Sequence, residues 1–257
     1  MRRVITGLTA LAVLAAATAA LAASSGNTYT AKLSFSPKAA GSKSHPAAVG
    51  QNLLYTAKGA NGNNAAPLID IKTTVYGLTV NTKAVPTCSA AKITAEHTDA
   101  SCPKKSLVAT GSVEAVIGPN TLQGGTPCDP LLHVYNGGGK TVVYFFVIAP
   151  GHLCGPLQTG AVPPYKGYYS TKGKNLILDV PLPPDVSTNA GNLGLYGSLE
   201  KETLKWFKVS GKVKGKTVPY AASVACSKGK RPYSVKFTAT DSSGKKQSTT
   251  IKGTDRC

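Results

Sequence analysis

The chain is poor in acids and in the side chains that most often carry chemistry. Of its 257 residues only 11 are Asp or Glu and four are His. A single Trp and a single Met exclude a Met-rich groove and an aromatic-dense glycan platform. Signature motifs are missing as well. The sequence has no Gly-x-Ser-x-Gly elbow, no His-Glu-x-x-His, no glycine-rich phosphate loop after a strand and no EF-hand loop. It has no Cys-x-x-Cys, and His152 beside Cys154 does not by itself make a zinc set. The expectation is therefore a non-enzyme with no metal and no cofactor. The alternative, an extracellular hydrolase acting on polysaccharide, needs two converging carboxylates. Glu200 and Glu202 are the nearest candidates, because alternate residues of one strand share a face about 7 Å apart. The simpler expectation is that both are solvated beside Lys201 and Lys205. His133, between Leu132 and Val134, reads as a satisfied strand residue, and His152 as a polar loop residue.

What the chain does have begins with an address. Arg2 and Arg3 precede an uncharged, Ala- and Leu-rich run to Ala23, and Ala20-Leu21-Ala22 fits a small-x-small cleavage site. Residues 1–22 are read as a secretory signal peptide, with no integral membrane span expected after cleavage. Losing Arg2 and Arg3 takes the net charge from +18 to +16. All six cysteines, Cys88, Cys102, Cys128, Cys154, Cys226 and Cys257, lie beyond the leader. An even count in an exported chain implies disulfides. Six cysteines allow fifteen connectivities, of which neighbour pairing is adopted: Cys88–Cys102, Cys128–Cys154 and Cys226–Cys257. Closing a loop of about 15 residues, as the first would, is worth about 3 kcal/mol in the chain-entropy picture.

Strand signals dominate the mature part. Tyr29, Ala31, Leu33 and Phe35 alternate with Thr30, Lys32 and Ser34, the period of a half-buried antiparallel strand. Further strands are expected at 52–58, 68–80, 106–117, 131–135, 140–149, 167–170, 175–180, 193–213, 217–225, 233–240 and 246–252. Hairpins are expected around Asn136–Gly139 and Asp241–Gly244. A turn centred between 242 and 243 places Cys257 opposite residue 228, which supports its pairing with Cys226. Val142 to Ile148 is apolar on both faces and reads as a central, doubly covered strand. The one short helix expected spans Ser89–Glu96. Many short strands and almost no helix predict an all-β fold, a large antiparallel β-sandwich with disulfides. Residues 23–257 are read as one domain, with a split near residue 160 as the alternative.

The feature above background is charge. Residues 201–257 hold 14 Lys or Arg against three acids. If residues 205–216 form a strand, Lys208, Lys212, Lys214 and Lys216 share one face. Lys246 and Lys252 share a face of the last hairpin. These six lysines are the candidate contacts for a polyanion, such as an anionic cell-wall polymer or polysaccharide, held by Coulombic attraction and counterion release. Few aromatics are interleaved with them, so single-stranded nucleic acid is not an expected partner.

The cysteine contexts also carry a resemblance. Pro86-Thr87-Cys88-Ser89-Ala90-Ala91 is followed by Cys102-Pro103-Lys104-Lys105-Ser106-Leu107-Val108. This Pro-x-Cys-Ser-Ala-Ala, Cys-Pro-x-x-Ser-x-Val pattern resembles a family of secreted, cysteine-containing β-sandwich proteins of actinobacteria. Val134-Tyr135-Asn136-Gly137, Ser36–Gly41 and Ala225–Tyr233 are similar to the same family. The chain departs from the pattern at Ala109-Thr110, where a Gly is usual, and at Ser227, where a Pro is usual. The resemblance implies an exported, disulfide-linked β fold, favours Cys88–Cys102 among the bridges, and implies no activity. The combined expectation is a secreted, extracellular or cell-envelope protein, a structural or binding module with a basic C-terminal face.

Overall fold

A computed structural model describes residues 22–24, 26–119, 123–155, 157–241 and 243–257. Of the expected leader, residues 1–21 fall outside that set. The first strands are β1 (Ala22–Ser24), β2 (Asn27–Ser36), β3 (Ala47–Ala48), β4 (Gly50–Gly59), β5 (Leu68–Tyr76) and β6 (Leu78–Val80). The helix α1 (Ala90–Glu96) comes next, followed by β7 (Leu107–Gly118), β8 (Thr126–Cys128), β9 (Leu131–Gly138) and β10 (Thr141–Val147). The remainder are β11 (Tyr165–Lys172), β12 (Asn175–Pro181), β13 (Tyr196–Trp206), β14 (Ser210–Val213), β15 (Lys216–Pro219), β16 (Ala221–Ser223), β17 (Lys230–Thr240) and β18 (Lys246–Arg256).

Period-two alternation puts one face of each long strand inward. In β2, Tyr29, Ala31, Leu33 and Phe35 are buried while Lys32 and Ser36 are exposed. Thirteen strands form one antiparallel sheet in the order β1-β2-β4-β13-β7-β9-β10-β11-β12-β5-β17-β18, with β8 paired to β7. The sheet folds over on itself, so that β18 lies beside β2. There the Asp255 carboxylate accepts from the Phe35 backbone N–H at 2.7 Å and from Lys38 at 2.5 Å. The two halves face each other as the layers of a sandwich. Tyr29 of β2 stacks on Phe237 of β17 at 4.7 Å between ring centres, and Tyr55 of β4 meets the same ring edge-on at 5.3 Å.

β10 has both faces covered, as its unbroken apolar run implies. Val142 and Tyr144 enter the sandwich core. Val143 and Phe145 pack outward against Ile93 of α1 and Cys88. Ser89 caps that helix, its hydroxyl accepting from the Lys92 N–H at 3.2 Å. The Asp99 carboxylate pins the segment after the helix to the sheet, accepting from Tyr135 and contacting His133 Nδ1, each at 2.6 Å. Burial works to raise the Asp99 pKa, but the hydrogen bonds from Tyr135 and His133 outweigh it and hold the carboxylate below its ordinary range. His133 is therefore a satisfied strand residue.

The three disulfides are Cys88–Cys102, Cys128–Cys154 and Cys226–Cys257, the neighbour pairing expected. In the last hairpin Lys246 faces Thr240 and Arg256 faces Lys230. The register lies one residue beyond the one expected, and Cys257 donates its N–H to Gly229 at 3.1 Å. Three expected strands are each divided, among them 217–225, which splits at Tyr220 into β15 and β16. The run 68–80 breaks at Gly77, whose φ of +69° is open to glycine. The run 193–213 ends its ladder at Trp206 and resumes as β14 in a separate hairpin with β15. β3, β16 and β6 form a small third sheet.

Candidate functional site

Two features of the fold stand out chemically, one on its outer surface and one inside. The outer feature is the charge. Lys208, Lys212, Lys214, Lys216, Lys246 and Lys252 are all exposed, and none makes an ion pair among the described residues. The expectation that residues 205–216 form one strand is corrected. Lys208 lies in the connection after β13. Lys212 and Lys216 flank a tight turn made by Lys214 and Gly215, with φ of +49° and +78°. Lys246 and Lys252 do share the outer face of β18, six residues or about 20 Å apart. The structure adds neighbours that sequence parity alone did not select. Lys230 and Lys236 of β17 and Arg256 of β18 occupy the same outer face. Lys230 sits directly opposite Arg256, a like-charge cross-strand pair that costs stability on its own.

Beside this face lies a carboxyl pair. Asp179 accepts from Lys72 at 2.8 Å through Oδ2, and its Oδ1 is buried. Asp70 lies against it. Burial, and then the hydrogen bond its protonated form gives Asp179, raise the Asp70 pKa to about 6.

The inner feature is Glu202, and here an expectation fails. Glu200 and Glu202 do not share a face, because β13 carries a bulge. Leu199 pairs with Ala115 and Lys201 with Glu114, so Glu200 is the extra residue and is exposed. The bulge resets the phase so that Leu199, Glu202 and Leu204 all point inward. Glu202 is flanked by Tyr55 on β4 and Val113 on β7. Lys201, its sequence neighbour, points outward and pairs with Glu114 at 2.5 Å. Glu202 is half-buried, and it borders two pockets between the strands.

That space comprises two abutting cavities, with room of about 90 and 70 Å³ for water-sized molecules. Glu202, Ile71, Tyr165 and Leu182 border both. The first cavity continues between Val113, Ala115, Ile117 and Phe146 towards the connections around Gln158 and Asp185. The second runs between Tyr55, Tyr144, Tyr169, Leu176 and Tyr220. Tyr144 and Tyr165 stack at 5.1 Å, with their planes 9° apart. The Tyr220 hydroxyl is buried beside that of Tyr169. Burial raises the Tyr55, Tyr144 and Tyr165 hydroxyls, and the Glu202 charge adds to it, so they stay protonated donors. Glu202 itself has no hydrogen-bond or ion-pair partner among the described residues, and burial alone pushes it up to about 7. No sequence signal pointed to this site. The bulge shows in the sequence only as the change of apolar phase between Leu199 and Leu204, and the curl of the sheet decides which face encloses space.

His152, in the loop closed by the Cys128–Cys154 bridge, donates from Nδ1 to the Asp129 backbone oxygen at 2.7 Å. This contact holds the loop. Among the described residues no cluster of three metal-ligating side chains forms, and no helix is long and apolar enough to cross a membrane. Comparison with family models, with curated proteins and with solved structures finds no match to this chain.

Proposed function

We propose that the protein is an exported, non-catalytic β-sandwich that serves as a structural or binding module, its cationic outer surface contacting anionic polymer of the cell envelope or its surroundings. The observation that carries this reading is the crowding of unpaired cations on one sheet face. Lys230, Lys236, Lys246, Lys252 and Arg256 project from β17 and β18, and none forms an ion pair among the described residues. A polyanion laid across this face relieves the repulsion between Lys230 and Arg256 as well as releasing its own counterions. The β14–β15 hairpin adds Lys212, Lys214 and Lys216 as a separate cationic point. Three disulfides and the leader-like N-terminus support an oxidising compartment outside the cytosol, as does the resemblance to secreted actinobacterial proteins.

The test is a salt titration of binding to an immobilised teichoic acid and to heparin. The logarithm of the association constant should fall linearly with the logarithm of salt concentration. Replacing Lys246 and Lys252 by Gln should make that slope shallower. Absence of binding at low ionic strength defeats the reading.

A further inference from the structure

We propose that the interior of the sandwich is a binding site for a small hydrophobic amine, whose ammonium group sits on the Glu202 carboxylate while its apolar body fills the adjoining cavities. This site is distinct from the cationic outer face, and the two readings stand or fall separately.

The bulge at Glu200 turns Glu202 into the core at a position where an aliphatic side chain would pack without penalty. A buried carboxylate with no donor is among the most costly groups a fold can hold. Above about pH 7 Glu202 carries a charge with no partner among the described residues, and the adjoining cavities are the space from which one can reach it. The lining states the sign of that partner. The charged residues that border the two cavities are Glu202 and, at the far end of the first, Asp185, and no Lys or Arg borders either among the described residues. An anionic amphiphile such as a fatty acid would meet two carboxylates and no cation. An ammonium meets one carboxylate, in a lining that also includes Tyr144 and Tyr165. The remaining walls are aliphatic and aromatic, which suits an alkyl or aryl body. The two cavities, about 90 and 70 Å³, meet at Glu202. The charged end therefore belongs in the middle, with the apolar part running to one side.

The test compares n-octylamine, octan-1-ol and octanoate by calorimetry with the oxidised chain from residue 23 onward, at pH 8 and moderate salt. The same ligands are mapped by backbone amide shifts. The strongly basic surface attracts octanoate and repels octylammonium, so a preference for the amine cannot arise from the surface. Octylamine should bind one to one, at least tenfold tighter than octanol, with octanoate weakest and the shifts confined to β7, β10, β11 and β13. Glu202→Gln should lose at least tenfold for the amine and leave octanol unchanged. Ala115→Phe, which narrows the first cavity without touching the carboxylate, should weaken both. If a variant does not fold, the wild-type ranking decides. Octanoate binding as tightly as octylamine, failure of all three to bind, or shifts on the outer face overturns the proposal.

Discussion

Glu202 sets a measurable pH dependence of stability. Its pKa rises from 4.5 in the unfolded chain to about 7 in the fold. The groups facing it are Tyr55 from β4, Tyr144 from β10 and Tyr165 from β11, all protonated throughout this range. Between about pH 4.5 and 7 the native state holds a proton that the unfolded chain has lost, so stability falls as pH rises through that window. The full penalty, about 3 kcal/mol by linkage, is present above pH 7 and absent below 4.5. Glu202→Gln should therefore raise the melting temperature by several degrees at pH 8 and leave it nearly unchanged at pH 4. Equal effects at both pH values would mean that the carboxylate is solvated. Arg231 offers a second residue-scale test. It is 1% exposed, reaches Ser223 Oγ at 2.5 Å, lies 4.9 Å from the Phe35 ring centre and leaves its Nε unpaired. Volume matters more than charge at such a site. Arg231→Ala should cost about 3 kcal/mol through the cavity it leaves, and Arg231→Met less than half of that, both read from denaturant melts.

At the scale of elements, the long strands were legible because period two survives wherever one face is buried and the other wet. β2, β4, β12, β17 and β18 fall where alternation puts them, and the helix follows its Ser89 cap. Register was legible to within one residue in the last hairpin, and that sufficed to join Cys226 to Cys257. The breaks were harder to read. The apolar residues of 193–213 change phase, from Leu195 and Leu199 to Leu204 and Trp206, and the ladder stops at Trp206 because the chain leaves the sheet to build a hairpin on a Lys214-Gly215 turn. That change of phase marks the bulge at Glu200, which decides which acid is inside. The C-terminal bridge gives a test at this scale. β18 is the last strand of the sheet order, and the Cys226–Cys257 loop of 31 residues ties down its end. Replacing both cysteines by Ser should cost about 3.5 kcal/mol. Amide exchange should quicken first at residues 253–257 and at β2, whose Phe35 N–H depends on Asp255.

For the whole molecule, the lysines could be named from composition and parity, but their grouping could not. Parity in a strand says which side chains share a face. It does not say that Lys212, Lys214 and Lys216 sit on a hairpin apart from β18, or that Arg256 faces Lys230 across a ladder. That like-charge pair makes the outer face responsive to bound anion in a way that separates it from the interior site. A polyanion on β17 and β18 cancels a repulsion that the free protein carries, so heparin at low salt should raise the melting temperature. The shift should disappear near 1 M salt, where the Debye length is about 3 Å. Lys230→Gln with Arg256→Gln removes the same repulsion covalently. The double variant should be at least as stable as the wild type without heparin and show a smaller heparin shift. A stabilisation by octylamine, buried against Glu202 and screened little by salt, should persist under the same 1 M conditions. If the double variant loses stability without heparin, or keeps the full heparin shift, the outer face of β17 and β18 is not where the polymer lies.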